Sequence, residues 1–170
     1  MEKVKVQIIN KSSLDIPIYA SEFSSGFDIE TNLSDFTSEE LLNRKGFNFE
    51  ISVHKDIILY PLSRYLFPTG LYINIPNGLE IQIRPRSGNS INKGYTCLNS
   101  PGTIDSDYRG EIGVIIVNLS EETIIIKHGD KIAQGVLCPV FQANFELVDN
   151  LNDTTRGDGG FGKSDEISYK

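Results

Sequence analysis

The chain has 170 residues, 39% of them hydrophobic and 23% charged, which are values of an ordinary single globular domain and exclude wholesale disorder or a fibrous repeat. Its 16 Lys+Arg against 23 Asp+Glu give a formal net charge of −7 at pH 7. A surface this acidic exerts no general pull on nucleic-acid polymers or anionic membranes, so a phosphate-bearing partner must be small and held locally.

In chain order, Met1-Glu2-Lys3-Val4-Lys5 leads directly into period-two alternation over Val4–Ile8, with no signal-peptide core. A polar stretch, Asn32–Asn48, interrupts the β-type pattern and reads as an insertion. Inside it, Thr37-Ser38-Glu39-Glu40 has the form of a helix start with a capping box, followed by Leu41 and Leu42 and stopped by Gly46. Strands are expected at Leu71–Ile75, Leu79–Ile83, Tyr95–Leu98, Ile112–Leu119, Thr123–Ile126, Ile132–Phe141 and Asn144–Val148. Turn signals fall about every ten residues, the mark of a β-sandwich, jelly roll or barrel rather than a parallel α/β sheet. After Val148 the composition turns polar and glycine-rich. The division is a β domain over 1–152 and an arm over 153–170 that cannot bury enough apolar area to order itself alone.

Ile112–Leu119, the longest apolar run, is far too short to span a bilayer. Cys97 and Cys138 sit in apolar, strand-like contexts and read as buried thiols of a reduced, intracellular protein. His54 and His128 are too few and too far apart for a zinc site.

Five clusters carry chemistry. Ser24-Ser25-Gly26-Phe27-Asp28-Ile29 holds a carboxylate beside a glycine turn. Arg84-Pro85-Arg86-Ser87-Gly88-Asn89-Ser90 ends a strand with two guanidiniums, hydroxyls and a glycine, the parts of an anion nest. Asn99-Ser100-Pro101-Gly102-Thr103-Ile104-Asp105-Ser106-Asp107-Tyr108-Arg109-Gly110-Glu111 reads as a hairpin tip followed by two carboxylates, one of which can act as a base. Gly129-Asp130-Lys131-Ile132-Ala133-Gln134 is a turn into a strand. In the arm, Gly157–Gly162 formally satisfies G-x-G-x-x-G, but no strand precedes it and no helix follows, so it is not a dinucleotide fold. Arg156 and Phe161 among those glycines suit a clamp closing over an anion that carries a ring. Each cluster alone is an ordinary solvated turn; five in one small β chain are not.

Together the segments SGFDI, RPRSGNSINKG, NSPGTIDSDYRGE, GDKIAQ and RGDGGFGKS resemble the five ordered motifs of the homotrimeric dUTP pyrophosphatases, or dUTPases, over residues 24–164. The resemblance implies an all-β, jelly-roll subunit with one short helix and a C-terminal arm that closes a neighbouring subunit's site. It implies Mg²⁺-assisted hydrolysis of dUTP to dUMP and pyrophosphate. Asp105 then matches the base that activates water, and Asp28 the carboxylate that holds Mg²⁺ through its water shell. Arg86, Ser87, Gly88 and Gln134 match phosphate contacts. Asn99, Gly102, Thr103 and Ile104 match the hairpin that reads the uracil edge, and Tyr108 the ring packed on deoxyribose. Arg156 and Ser164 match terminal-phosphate contacts, and Phe161 with Gly162 the part of the arm that stacks on uracil.

The chain departs from the family pattern at Phe27 and Ile29, at Lys131 where Arg is frequent, at Gly135 where a larger apolar residue is usual, and at Lys163. Two other readings remain: a dCTP deaminase, which resembles dUTPases in fold but does not require the full arm together with Asp105, and a nucleotide-binding regulatory protein that has lost hydrolysis.

Overall fold

A computed structural model describes residues 3–160; Phe161, Gly162 and Ser164 lie outside the described residues. Eleven strands are formed within that range: β1 Gln7–Asn10, β2 Phe27–Glu30, β3 Gly46–Ile51, β4 Ile57–Phe67, β5 Leu71–Asn74, β6 Leu79–Arg84, β7 Tyr95–Cys97, β8 Gly102–Ile104, β9 Val114–Asn118, β10 Ile124–Ile126 and β11 Lys131–Pro139. Two short helices, α1 Ser38–Leu42 and α2 Ser87–Lys93, join them.

All pairings are antiparallel. One sheet runs β2-β11-β6-β8; a second runs β10-β4-β9-β7 with β3 also on β4; β1 and β5 form a separate ribbon. Inward residues of all three meet in one core. Ile29, Ile83 and Ala133 come from the first sheet, Tyr65, Phe67 and Ile116 from the second, and Ile73 from the ribbon. This mostly-β, layered arrangement is a jelly roll. Among the described residues, no helix is long and apolar enough to cross a membrane. Cys97 is buried, Cys138 half-buried, and both are free thiols.

The 32–48 segment is stitched into the core rather than laid upon it. Thr37 caps α1 as its sequence requires: its hydroxyl accepts from the Glu40 N–H, and the Glu40 carboxylate accepts from the Thr37 N–H at 2.7 Å. That contact holds the Glu40 carboxyl below its ordinary range. Leu33 and Leu41 are buried, and the phenol of Tyr65 donates to the Leu41 carbonyl at 2.8 Å. The helix ends at Leu42 with Asn43 as its C-cap, before Gly46 is reached, and Gly46 instead begins β3.

Besides β2 and β3, which lie outside the strands expected from sequence, four features differ from that expectation. The longest strand, β4, is broken in pattern by Pro61 and by Leu62 at φ +63°, so its two alternating halves do not read as one element. The segment after Arg86 is a second helix rather than a turn. Its weak helix formers are tied down by buried Asn89, whose amide donates to the Lys131 carbonyl at 2.8 Å. Tyr95–Cys97 and Gly102–Ile104 are not a hairpin, because β7 pairs with β9 and β8 with β6, and the chain crosses between sheets at Leu98–Pro101. Asn144–Val148 alternates but forms no strand; Phe145 and Leu147 are exposed and without a pairing edge among the described residues.

Candidate active site

The four-stranded sheet lines up several of the singled-out residues by register. Asp28 on β2 lies opposite Gln134 on β11, which lies opposite Arg84 at the end of β6. One residue along, Phe27, Gly135, Ile83 and Gly102 form the adjacent row across all four strands. Antiparallel pairing thus brings together clusters more than a hundred residues apart in sequence.

At this end of the sheet Asp28 is bracketed by two cations. Arg86, the N-cap of α2, donates from Nε to Asp28 Oδ1 at 2.8 Å, and Lys131 Nζ lies 3.0 Å from Asp28 Oδ2. Arg86 also donates through Nη1 to the Lys131 carbonyl, and Gln134 Nε2 donates to the Pro85 carbonyl at 2.9 Å. The start of α2 is therefore fixed to β11 from both sides. Ser87 and Gly88 form its exposed first turn, where helix geometry leaves leading N–H groups without intrahelical acceptors. The result is a half-exposed patch of two cations, one carboxylate and several N–H donors, suited to an oxyanion chain.

Sequence reasoning singled out Asp28, Arg86 and Gln134 but treated Lys131 only as a departure from a pattern. The structure makes it a partner of Asp28. The adjoining Asp-Lys of the fourth cluster was the signal that a cation stood there.

No group of three or more His, Cys, Asp or Glu able to cage a metal occurs among the described residues. Asp28 presents a single carboxylate whose two oxygens already have cationic partners. Such a site fits a divalent ion only if the ion keeps most of its own waters and arrives with phosphate oxygens, which is the behaviour of Mg²⁺.

The third cluster lies at the opposite edge. Gly102, Thr103 and Ile104 pair with Ile83, Gln82 and Ile81, so β8 is the outer strand, and Asn99 stands on the crossing just before it. Asp105 follows directly, exposed, and its carbonyl accepts the Tyr108 N–H at 3.1 Å in a tight turn. The Tyr108 phenol reaches forward to donate to the Glu111 carbonyl at 2.9 Å. On β7, in the other sheet, burial pushes the Tyr95 phenol up to about 12 and the Cys97 thiol up to about 11. Both are structural, neutral groups.

Asp28 and β8 are separated by three strand steps, on the order of 14 Å at the usual inter-strand spacing. One chain therefore brings Asp28, Arg86 and Gln134 together and gathers Asn99, Asp105 and Tyr108 elsewhere. Arg156 stands apart from both in the arm, its Nε donating to the Gly159 carbonyl at 2.8 Å within a local turn.

A dUTPase family model matches residues 43–165. The deoxyuridine 5'-triphosphate nucleotidohydrolase of Ehrlichia canis is 44% identical over 163 residues, covering 95% of this chain and 94% of that protein. The enzyme of the same name from Finegoldia magna is 46% identical, covering 94% and 97%. Among solved structures, the dUTPase of Staphylococcus bacteriophage 80alpha with dUpNHpp superposes with a TM-score of 0.71 at 20% identity, over 95% of this chain and 98% of that one. A variant dUTPase of S. aureus phage phi11, described with a structural Mg(II) ion, gives 0.69 at 19% identity, over 88% and 100%. At such identities the two phage structures bear on the fold alone.

Proposed function

The chain belongs to the dUTPase family, and from that premise we propose that it hydrolyses dUTP to dUMP and pyrophosphate by attack of water on the α-phosphorus. The observation that carries the reading is the meeting of Asp28, Arg86 and Gln134, the residues that match the metal and phosphate positions of the family motifs, at one end of a sheet. Arg86, the Ser87–Gly88 turn and Gln134 bind phosphate oxygens. Asp28 would hold Mg²⁺ through water, and the bound ion would neutralise charge on the phosphates. Asp105 orients a water and takes its proton as the oxygen bonds to the α-phosphorus and the bond to the bridging oxygen breaks. Pyrophosphate leaves with that oxygen.

Asn99 and the backbone of Gly102–Ile104 read the uracil edge, where cytosine would leave groups unpaired. Tyr108 packs on the deoxyribose and excludes a 2′-hydroxyl. Arg156 and Ser164 hold the terminal phosphate, and Phe161 stacks on the base as the 153–170 arm closes and expels water. The reaction supplies dUMP for thymidylate synthesis and, by removing dUTP, limits uracil in DNA.

The site is completed by further copies of the chain in a homotrimer. The distance between Asp28 and the Asp105 loop within one subunit supports this, since one nucleotide has to meet both. The exposed 140–151 segment, with Phe141, Phe145 and Leu147 bare, supports it as well.

The test is hydrolysis in H₂¹⁸O with Mg²⁺. The label is expected in dUMP; label in pyrophosphate would place the attack on the β-phosphorus and overturn the role given to Asp105.

A further inference from the structure

The 32–48 segment has no part in the site described so far, yet its half-buried Arg44 reaches Glu111, the residue that closes the Asp105 loop. Arg44 Nη2 donates to Glu111 Oε2 at 2.9 Å, with both side chains less than a fifth exposed. The guanidinium is itself held in place: Nε donates to the Leu66 carbonyl, and the group lies over the Phe36 ring at 5.3 Å. The other oxygen of Glu111 accepts the N–H groups of Thr69 at 3.1 Å and Gly70 at 2.9 Å. Donors thus meet both carboxylate oxygens, and the following residue is fixed too: the Ile112 N–H donates to the Leu71 carbonyl, and the Ile112 carbonyl accepts from the Thr69 hydroxyl.

What this clamp positions is the end of the catalytic loop. The Glu111 carbonyl is the acceptor for the Tyr108 phenol, and the phenol crosses directly over Gly110, where a Cβ would lie 2.3 Å from its oxygen. The Tyr108 ring is exposed and has one described anchor at its tip. That anchor stays put only while Glu111 does.

We propose that Arg44 is a positioning residue for Tyr108, acting through Glu111, so that the 32–48 segment sets how strictly the site selects deoxyribose over ribose. This rests on the reading of Tyr108 as the sugar-facing ring. A merely structural role for Arg44 would change stability or overall rate but not the preference between two nucleotides that differ in one hydroxyl. Loss of the ion pair frees the Glu111 end of the loop, and small misplacements of this kind are amplified in rate.

The experiment measures kcat/KM for dUTP and for UTP with Mg²⁺ in the wild type, Arg44→Met, Tyr108→Phe and the double variant. Arg44→Met keeps an aliphatic stem over Phe36 while removing the charge. The dUTP-to-UTP ratio is expected to fall on the order of tenfold or more in each single variant, with little further fall in the double variant because both break one chain of contacts. A ratio unchanged in folded Arg44→Met, or additive losses in the double variant, overturns the proposal. If Arg44→Met does not fold, Glu111→Gln, which weakens the same ion pair from its other side, takes its place, and an unchanged ratio there overturns the proposal. A wild type inert towards dUTP would instead overturn the functional reading itself, and this inference with it.

Discussion

Phe27 and Gly135 face each other across the β2–β11 pair, and the Phe27 ring fills the space that a side chain at 135 would occupy: a Cβ there would lie 2.5 Å from the ring. Both are positions at which the sequence is expected to depart from the family pattern, Phe27 towards a larger residue and Gly135 towards a smaller one. The two departures are one exchange of volume across a strand pair, which leaves Asp28 and Gln134 in register beside it.

Gly135→Ala is therefore expected to destabilise the fold by about 1–3 kcal/mol through overpacking, and Phe27→Leu in the same chain to recover most of that loss. Urea denaturation of the four chains of this cycle measures it. Additive destabilisation would mean that the two residues do not share the space.

Asp105→Asn should lower kcat at least ~10²-fold while leaving affinity for a non-hydrolysable dUTP analogue nearly unchanged, as removal of a general base does. Because Asp28 and Asp105 are proposed to meet across a subunit boundary, co-refolding Asp28→Asn with Asp105→Asn chains should recover turnover that neither parent shows. Near-wild-type turnover by Asp105→Asn would refute the base assignment, and no recovery in the mixture would refute the shared site.

Truncation after Asn152 leaves every strand among the described residues intact, the last of them ending at Pro139. The circular dichroism and thermal transition of the core should persist while kcat/KM for dUTP collapses. Unchanged kcat/KM would show that the arm takes no part.

Tyr95 and Cys97 bind their protons more tightly folded than unfolded, because burial raises them from ordinary values of 10.0 and 9.0 to about 12 and about 11. Their contribution to stability is thus full below pH 9.0 and lost as pH climbs from there towards about 12. Tm is expected to fall across that range, and less steeply in Cys97→Val over its lower part. A Cys97→Val profile parallel to the wild type would show that the thiol does not titrate out of reach as described.

Much of this was legible in the residues, for local reasons. Thr37 and Glu40 announced the α1 cap because a capping box is read and formed within four positions. The alternation of β5 and β6 showed through because each is short and buried on one face. What stayed hidden depends on partners remote in sequence. The Tyr95–Cys97 and Gly102–Ile104 strands look like a hairpin because nothing local says that β9 and β6 claim them instead. Pro61 and Leu62 masked β4 for the opposite reason, a local break bridged by pairing on either side. In the site, the motifs named Asp28 and Arg86, but not that Lys131 would share Asp28 or that Arg44 would reach Glu111.

The most direct test of the central claim is incubation with dUTP, dCTP, dTTP and UTP, each with Mg²⁺, following pyrophosphate and ammonia. The account predicts pyrophosphate from dUTP and little from the other three. Ammonia from dCTP would make the chain a deaminase, and no product from any of the four would make it a nucleotide-binding protein without hydrolysis; either result would contradict the account.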